Sequence, residues 1–444
     1  MKIMKFGGTS VASAERINHV AKLITATSEP KVIVLSAMAG TTNQLVDIAA
    51  ELVQRDSIVA KDLIEELKEK YLIETQKLFP KAESFHAVWK KLDQTFFFLE
   101  NMCKVSNFTL FDEKRVLAQG ELMSVAMMLQ HLEDLGHKAC WLPALDYMRT
   151  DKKAEPDETY IELHLRRLMQ RSPQDVQLFV TEGYICKNAY GDIDNLQRGG
   201  SDYTASLIGA ALKAEEIQIW TDIDGMHNND PRVVEETVPV RRLHFEEAAE
   251  LAYFGAKILH PTCIQPAKKN NIPVRLLNTM EPDKPGTLIS NDTDKDQIKA
   301  VAAKDGLTMI KVKSSHMLVS WVFMRRLLQV FEHYQISIDM ITSSEVGVSV
   351  CVEIWDELPE LLADLRKLGE VSVEEHMTII CVVGDMEWEN VGFETQVLEA
   401  LRDIPVRMIS YGASDYNLSV LVRQSDKRNA LISLSNHLFA SSKQ

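Results

Sequence analysis

Short apolar runs along the N-terminal part of the chain alternate with longer stretches in which apolar residues recur at helical spacing. Ile3 to Phe6 and Lys31 to Ser36 predict buried strands, and each is followed by small or polar residues and then by a helix. Lys138–Leu142, Leu178–Val180 and Ile217–Trp220 predict further strands. Since short connections through helices join parallel strands, this part of the chain predicts an α/β fold with a mainly parallel sheet between helical layers.

Three connecting segments break this alternation. From roughly Glu51 to Lys104 the chain is charged and helical in pattern, which predicts a packing insert of several helices without chemistry of its own. Tyr184 to Asn195 predicts a hairpin that turns at Gly191-Asp192. Thr279 to Gln297 is rich in proline, glycine and acidic turn residues, and it predicts a linker.

Beyond that linker the pattern changes to short strands mixed with helices. Strands are predicted at Thr308–Lys313, Val346–Ile354, Met377–Val383 and Leu418–Val422. Helices are predicted at Phe323–His333, Glu357–Leu368 and Thr395–Leu401. Similar phrases, at residues 335–341 and 404–410, follow a helix in each half, so the region predicts two copies of a βαββαβ module.

Composition narrows the class of protein. A chain of 444 residues predicts two or three domains. The net charge of −15 argues against nucleic acid or an anionic membrane surface as the main partner. Six scattered cysteines without a CxxC pair favour a reducing cytoplasm. No apolar run approaches the ~20 residues needed to span a bilayer, and lysines interrupt the first apolar residues, so we expect a soluble cytoplasmic protein without a signal peptide.

The strongest candidate chemistry lies in the stretch Arg198-Gly199-Gly200-Ser201-Asp202-Tyr203-Thr204-Ala205. Its glycines allow close approach of a ligand to the backbone, and the helix start that follows favours an anion. Arg198 suits a carboxylate or phosphate, and Asp202 suits Mg²⁺ or its bound waters. An ordinary turn with a capped helix explains this stretch alone almost as well.

Other polar residues stand where predicted strands end. Lys5 precedes the glycine turn Gly7-Gly8, where a lysine can act as a point charge on a transferring phosphoryl group. Ser36 and Thr42 offer hydroxyls at the sheet edge where α/β folds bind ligands, with helix capping as the alternative. Glu121 at a helix start either complements the helix dipole or holds an ammonium group. GxxxxGK[ST], GxGxxG and HExxH motifs are absent from the sequence.

Together these residues resemble the aspartate kinase family of amino acid kinases over nearly the whole chain. The resemblance rests on Lys5–Ser10, Arg198–Ala205, Trp220–Asp222 with Gly225, Asp230-Pro231-Arg232, and Phe254–Lys257 with His260-Pro261. The helical insert, the total length and Thr342–Val346 are most similar to the monofunctional, lysine-inhibited subclass. The resemblance implies an amino acid kinase domain at 1–293 and a regulatory region at 294–444. That region would hold two ferredoxin-like ACT modules, about 304–374 and 375–444, or a second module nested within the first.

The resemblance also implies a reaction and its residues. MgATP would phosphorylate the side-chain carboxylate of L-aspartate to 4-phospho-L-aspartate, the first step toward lysine, threonine and methionine. Lys5, Gly7 and Gly8 would stabilise the transferring group, and Asp202 would orient the magnesium waters and Lys5. Glu121 would pair with the substrate's amino group, and the rest of aspartate would contact Ser36, Thr42, Arg198 and Ser201. ATP would contact Thr221, Asp222, His227, Arg232, Lys257 and Ile258.

Inhibition by lysine and pairing of ACT modules into a homodimer or tetramer are implied in the same way. The effector residues would be Met317, Ser320, Phe323, Ser337, Ile338, Asp339, Ser343, Ser344 and Glu345. Asp339 and Glu345 would hold the ammonium groups of lysine, whereas simple packing is the alternative for Met317 and Phe323. Two departures from the family pattern bear on these sites. His227 replaces a tyrosine beside the adenine, and Ser320-Trp321-Val322-Phe323 lacks the usual glycine, which narrows or retunes the effector pocket.

Two other functions remain open at this point. One is a related kinase acting on glutamate, acetylglutamate or a nucleoside monophosphate, and the paired C-terminal modules speak against it. The other is a non-catalytic amino acid sensor that has kept its ACT modules. The presence of Lys5, Glu121, Arg198, Asp202, Asp222 and Lys257 argues against a sensor that has lost its chemistry.

Overall fold

The structure is a computed structural model that describes residues 1–173, 175–196, 199–255, 261–292, 294, 297–314, 321–353, 358–387, 389 and 391–439. Its strands are β1 (Lys2–Phe6), β2 (Lys31–Leu35), β3 (Ala139–Trp141), β4 (Leu178–Glu182), β5 (Ile185–Lys187), β6 (Ile193–Asn195), β7 (Glu216–Thr221), β8 (Arg242–His244), β9 (Val274–Asn278), β10 (Thr287–Ser290), β11 (Ile298–Ser314), β12 (Ile338–Ser344), β13 (Gly347–Glu353), β14 (Gly369–Gly384), β15 (Met408–Tyr411) and β16 (Asn417–Arg423).

Its α-helices are α1 (Ala14–Thr25), α2 (Thr41–Gln54), α3 (Ser57–Leu78), α4 (Ala82–Met102), α5 (Leu110–Leu117), α6 (Gln119–Asp134), α7 (Ala144–Tyr147), α8 (Glu158–Arg171), α9 (Gly200–Leu212), α10 (Phe245–Tyr253), α11 (Gln265–Lys269), α12 (Trp321–His333), α13 (Leu358–Arg366), α14 (Phe393–Ala400) and α15 (Lys427–Leu438). None of the helices in these described ranges combines the length and apolar character needed to cross a membrane.

The chain divides into two compact units, the first comprising the described parts of residues 1–226 and 258–291. Its strands follow the order β3-β4-β2-β1-β7-β9-β10. Neighbours from β3 to β9 pair in parallel, and β10 runs antiparallel to β9. The predicted α/β fold with a mainly parallel sheet is therefore confirmed, and the carboxyl ends of β1, β2 and β7 lie side by side.

Helices cover both faces of this sheet. On one face Phe6 of β1 belongs to a core that also contains buried side chains of α1, α2, α3, α4 and α6. On the other face Gly209 of α9 lies so close to Ile217 that a Cβ there would stand 2.5 Å from the isoleucine Cδ1. Tyr71 and Phe96 of the helical insert are fully buried in the core that contains Phe6. The burial of each contributes about 1.5–3 kcal/mol to the free energy of unfolding. The insert is thus an integral layer of this unit.

The second unit comprises the described parts of residues 227–257 and 292–444. Its antiparallel sheet has the order β12-β13-β11-β14-β16-β15. Two strands are far longer than the short ones expected at 308–313 and 377–383. β11 pairs with β13 only through 307–313, and its earlier part, 298–304, pairs with residues 379–384 of β14. Separate cores lie at the two ends of the sheet, around Phe323 and around Val397.

The predicted linker at 279–297 is wrong for part of its length. Thr287–Ser290 forms β10, which pairs with β9 through Thr287–Ile289. The turn before it places Gly286 at φ +64°, and a Cβ there would lie 1.9 Å from the carbonyl oxygen of Leu276. Glycine is required here because the chain must reverse against β9. In the sequence, the turn residues that this reversal needs look like those of a linker.

Candidate active site

Lys5 and Asp202 meet at the carboxyl edge of the parallel sheet. Lys5 lies near the end of β1, between β2 and β7, and it is 9% exposed. Its Nζ lies 2.6 Å from Oδ1 of Asp202, and each side chain is 11% exposed. Asp202 stands in the first turn of α9, which begins after Gly199 in a left-handed conformation (φ 72°). A shielded lysine is thereby held in place at the sheet edge where ligands of such folds bind.

The Gly7-Gly8 turn continues directly from this strand. The Gly7 N–H donates to the carbonyl oxygen of Trp220, at 3.2 Å. A Cβ on Gly8 would lie 2.9 Å from the carbonyl oxygen of Ala37, so this close approach requires glycine. The Ala39 N–H donates to the Gly8 carbonyl oxygen at 3.1 Å. The glycine turn and the loop after β2 are therefore packed against each other.

Ser36 and Thr42 both lie in that second loop region. Ser36 follows β2 and its N–H donates to the carbonyl oxygen of Phe6, at 3.2 Å, while Thr42 lies in the first turn of α2. Both residues are half-buried. The neighbouring Thr41 is fully buried instead, and its Oγ1 lies 3.1 Å from the Tyr71 hydroxyl. The hydroxyls predicted to reach a ligand thus remain partly accessible.

Glu121 is a buried acid on α6 that contacts the same loop. Its Oε1 accepts the N–H of Ala37 at 3.2 Å, and its Oε2 is buried without a hydrogen-bond partner among the described residues. Burial raises the pKa of Glu121 to about 8, against the opposing effect of the Ala37 hydrogen bond. This carboxyl group is therefore suited to a cationic ligand, which would give Oε2 a partner.

Glu182, at the end of β4, is a second buried acid that the sequence analysis missed. Its two carboxylate oxygens accept hydrogen bonds from Trp141 Nε1, at 2.6 Å, and from the Ala144 N–H, at 2.9 Å. Burial raises the pKa of Glu182 to about 7, and its charge also raises the pKa of Glu121. An acid next to Gly183 at a strand end was the available sequence signal.

Two further residues were predicted to bind the substrate aspartate, and the structure describes one of them. Ser201 is buried in the first turn of α9, against Gly183, where a Cβ would lie 2.5 Å from the serine Cβ. Arg198 lies outside the described residues. The structure therefore brings Ser201 beside the end of β4, on the same turn of helix as Asp202.

The predicted nucleotide residues are distributed along the chain. Thr221 ends β7 in the first unit, and its Oγ1 donates to Asp222 Oδ1 at 3.1 Å. In the second unit His227 Nδ1 lies 2.8 Å from Thr237 Oγ1. There the exposed Arg232 donates to both carboxylate oxygens of Asp230, at 2.9 and 2.8 Å. Lys257 and Ile258 lie outside the described residues.

The predicted effector residues of the second unit differ in burial. Phe323 packs into the core beneath α12, as the packing alternative expected. Trp321, in the altered turn, begins α12 and is 78% exposed. Ile338 is half-buried, and the exposed effector residues are Ser337, Ser343, Ser344 and Glu345. Met317 and Ser320 lie outside the described residues.

Asp339 has partners that the sequence analysis did not foresee. Its Oδ1 lies 2.8 Å from Lys304 Nζ and accepts the Tyr253 hydroxyl at 2.6 Å. Lys304 also lies 3.3 Å from Oε2 of Glu353, with its ammonium 5.1 Å from the centre of the Tyr253 ring. The Asp339 side chain is only 2% exposed. We call Asp339, Lys304, Tyr253 and Glu353 the Asp339 cluster; nothing in the strand pattern around Lys304 distinguished it from other lysines.

Comparison with known proteins places the chain in a family. The amino acid kinase family model matches residues 1–278, and an ACT domain model matches residues 380–438. Aspartokinase 3 of Arabidopsis thaliana chloroplasts is 35% identical over 98% of this chain and 81% of its own length. The lysine-sensitive aspartokinase 3 of Escherichia coli is 32% identical over 98% of this chain and 99% of its own length.

Solved structures agree with the sequence matches. E. coli aspartokinase III in complex with aspartate and ADP has a TM-score of 0.83 at 30% identity, over 99% of this chain and all of that one. The complex of that enzyme with lysine and aspartate has a TM-score of 0.79 at 31% identity, over 99% of both chains. The resemblance found in the sequence is therefore confirmed, and the chain belongs to the aspartokinases of the amino acid kinase family.

Proposed function

We propose that the protein transfers the γ-phosphoryl group of ATP to the side-chain carboxylate of L-aspartate, giving ADP and 4-phospho-L-aspartate. The observation that carries this proposal is the shielded Lys5–Asp202 pair beside the Gly7-Gly8 turn. A carboxylate is already a nucleophile near neutral pH, so the site needs no strong general base. What it must supply is positive charge where two anions meet and where charge develops on the transferring group.

Within this reaction each residue has a distinct role. Lys5 and the N–H of Gly8 stabilise the transferring group, whereas Gly7, whose N–H donates to the Trp220 carbonyl oxygen, shapes the turn beside it. Glu121 pairs with the amino group of aspartate, because its buried Oε2 gains a partner and its ionised form is favoured by an adjacent ammonium. Ser36, Thr42, Arg198 and Ser201 hold the remainder of aspartate.

The residues present are compatible with Mg²⁺ brought in by the nucleotide. Within the described ranges no group of three or more His, Cys, Asp or Glu side chains is arranged to hold a metal ion. Mg²⁺ commonly keeps several waters and binds through phosphates with one or two carboxylates, and we assign Asp202 to act through such waters. When bound, the ion neutralises charge on the phosphates. Asp202 would at the same time keep the ammonium of Lys5 oriented.

The other functions are proposed on the family relationship. ATP contacts are assigned to Thr221, Asp222, His227, Arg232, Lys257 and Ile258. The kinase region is taken as 1–293 and the regulatory region as 294–444. The latter holds two ACT modules, at about 304–374 and 375–444 or with the second nested in the first, which pair into a homodimer or tetramer. Feedback inhibition by lysine is supported by the lysine sensitivity for which the E. coli relative is named, and Asp339 and Glu345 are assigned to hold the effector.

A coupled assay of ADP release tests the proposal directly. The full-length protein is supplied with ATP, Mg²⁺ and L-aspartate, then with L-glutamate or N-acetylglutamate in place of aspartate, and each with and without millimolar lysine. We expect turnover with aspartate and not with the other two acceptors, and we expect lysine to suppress the turnover of aspartate. Turnover with another acceptor would reassign the substrate. Lysine binding without turnover on any acceptor would favour an amino acid sensor. Light scattering of the same sample measures the oligomeric state.

A further inference from the structure

The helix α3 of the insert touches the site loops through a single face. Lys70 and Glu74 are four residues apart and Tyr71 and Glu74 are three apart, and these spacings place the three side chains on one side of the helix. Lys70 Nζ donates to the carbonyl oxygen of Ala39 at 2.8 Å and to Gln44 Oε1 at 3.3 Å. Glu74 Oε2 accepts the N–H of Ala14, the first residue of α1, at 2.7 Å. This face therefore contacts both segments that follow β1 and β2.

Ala39 is held from two directions. Its N–H donates to Gly8 in the glycine turn, and its carbonyl oxygen accepts the ammonium of Lys70. Gly40 follows in a left-handed conformation (φ 79°), and a Cβ there would lie 3.5 Å from Lys70 Nζ. One residue later, buried Thr41 contacts the Tyr71 hydroxyl. The loop that carries Ser36 and Thr42 is thus fixed between the glycine turn and α3.

We propose that Lys70 is a positioning residue for the acceptor substrate: by holding the Ala39 carbonyl it fixes the 36–42 loop against the Gly7-Gly8 turn. This inference rests on the proposed function of Ser36 and Thr42. The Lys70 ammonium is partly withdrawn from water, which lowers its pKa, and its hydrogen bond to the Ala39 carbonyl therefore forms where water competes less. The insert then contributes substrate affinity as well as packing.

Lys68 provides a matched control on the same helix. Its Nζ lies 3.6 Å from Asp93 and 3.4 Å from Glu100 of α4, and 6.0 Å from the centre of the Phe96 ring. Lys68→Met and Lys70→Met each remove one ammonium from α3. Only the second removes a hydrogen bond to the 36–42 loop.

Steady-state kinetics of the two variants and of Lys70→Arg test the proposal. We expect Lys70→Met to raise KM for aspartate about tenfold, as for a lost charge-assisted hydrogen bond, with KM for ATP within about twofold. Lys70→Arg, which keeps donors, recovers most of the affinity, and Lys68→Met matches the wild type. An unchanged KM for aspartate in Lys70→Met would overturn the proposal. So would an equal rise in Lys68→Met, or equal rises for both substrates with a lowered Tm.

Hydrogen exchange separates this inference from the assignment of the substrate. Peptides covering residues 36–43 should exchange faster in Lys70→Met than in Lys68→Met or the wild type, whether or not aspartate is phosphorylated. If the wild type fails to phosphorylate aspartate but this difference is present, the proposed function fails and the positioning role stands. Equal exchange in all three proteins would end the positioning role. Should Lys70→Met not fold, Tyr71→Phe, which releases Thr41 from the same face, is measured in its place with the same expected direction.

Discussion

Each unit of this protein places a lysine against an aspartate predicted to serve a ligand. The Lys5–Asp202 and Lys304–Asp339 distances are alike, 2.6 and 2.8 Å. Their surroundings differ, because Lys304 has a second acid, Glu353, within 3.3 Å, whereas Lys5 stands beside the Gly7-Gly8 turn. The first arrangement suits an incoming anion, with the aspartate holding the lysine. The second suits an incoming cation, because Lys304 can remain on Glu353 when Asp339 takes another ammonium.

The largest expected effect comes from removing the lysine of the first pair. Lys5→Ala should lower kcat about 100- to 1000-fold, as for loss of one donor to developing charge, while Tm remains near that of the wild type. Rapid ADP-release kinetics and thermal unfolding measure the two quantities. Wild-type turnover in Lys5→Ala would refute the catalytic role of Lys5. The Lys5–Asp202 pair would then no longer differ in function from the Lys304–Asp339 pair.

The aspartate of the second pair should control inhibition. Asp339→Asn should raise the lysine concentration that halves activity at least about tenfold, because a hydrogen bond to a charged group contributes about 1.5–3 kcal/mol. Inhibition curves are scaled to each variant's own uninhibited rate. Lys304→Met is the companion variant, and it should shift the curve to lower lysine concentration, since two ammonium groups near one carboxylate repel each other. A weaker inhibition in Lys304→Met would show that Lys304 supports the effector instead of competing with it.

Glu121 adds an acid near Lys5 whose pKa predicts a pH dependence of stability. Its pKa is raised from 4.5 to about 8 by burial, so between these values the folded chain keeps a proton that the unfolded chain has released. The free energy of unfolding should therefore fall as pH rises, by at most about 1.4 kcal/mol per pH unit. Denaturant unfolding of the wild type and Glu121→Gln from pH 5 to 8 measures it. The stability of the wild type relative to Glu121→Gln should decline with pH, and a constant difference would contradict the pKa.

Tyr253→Phe should give the smallest effect. It removes the hydroxyl that donates to Asp339 at 2.6 Å but keeps the ring beside Lys304. Losing one hydrogen bond at a half-exposed site should weaken lysine inhibition about threefold, corresponding to about 0.6 kcal/mol, within the usual range for a net hydrogen bond. The same inhibition assay decides this. A shift as large as that of Asp339→Asn would mean that Tyr253 is a principal member of the Asp339 cluster.

The local sequence pattern was sufficient to predict the type and position of most elements of the first unit. Ile3–Phe6 and Lys31–Ser36 were predicted within one residue of β1 and β2, because continuous β-branched and apolar runs between turn residues have few other solutions. The same reasoning could not foresee the length of β11. Its residues 304–307 pass through register shifts beside β14, and only the partner strand shows that pairing continues. Glycine composition also concealed β10 within an apparent linker.

The site shows the same division between local and tertiary information. Motifs placed Lys5, Gly8 and Asp202 at strand and helix ends, whereas the ion pair between the two charged residues is seen only in the structure. Lys70 and Lys304 carried no such signal. Each is one lysine among many, and its importance comes from a single carbonyl or carboxylate brought to it by distant segments of the chain.

The divided pairing of β11 has a practical consequence for cutting the chain. A fragment that begins after Lys304 would lose the segment that pairs with residues 379–384. β14 would then present a rim of unpaired backbone N–H and C=O groups, flanked by the side chains of Ile379 to Val383, which are fully buried in the intact chain. Such rims recruit strands from other molecules and lead to aggregation. Truncations meant to isolate the last module should therefore retain the strand that starts at Ile298, or be engineered with a joint that supplies it.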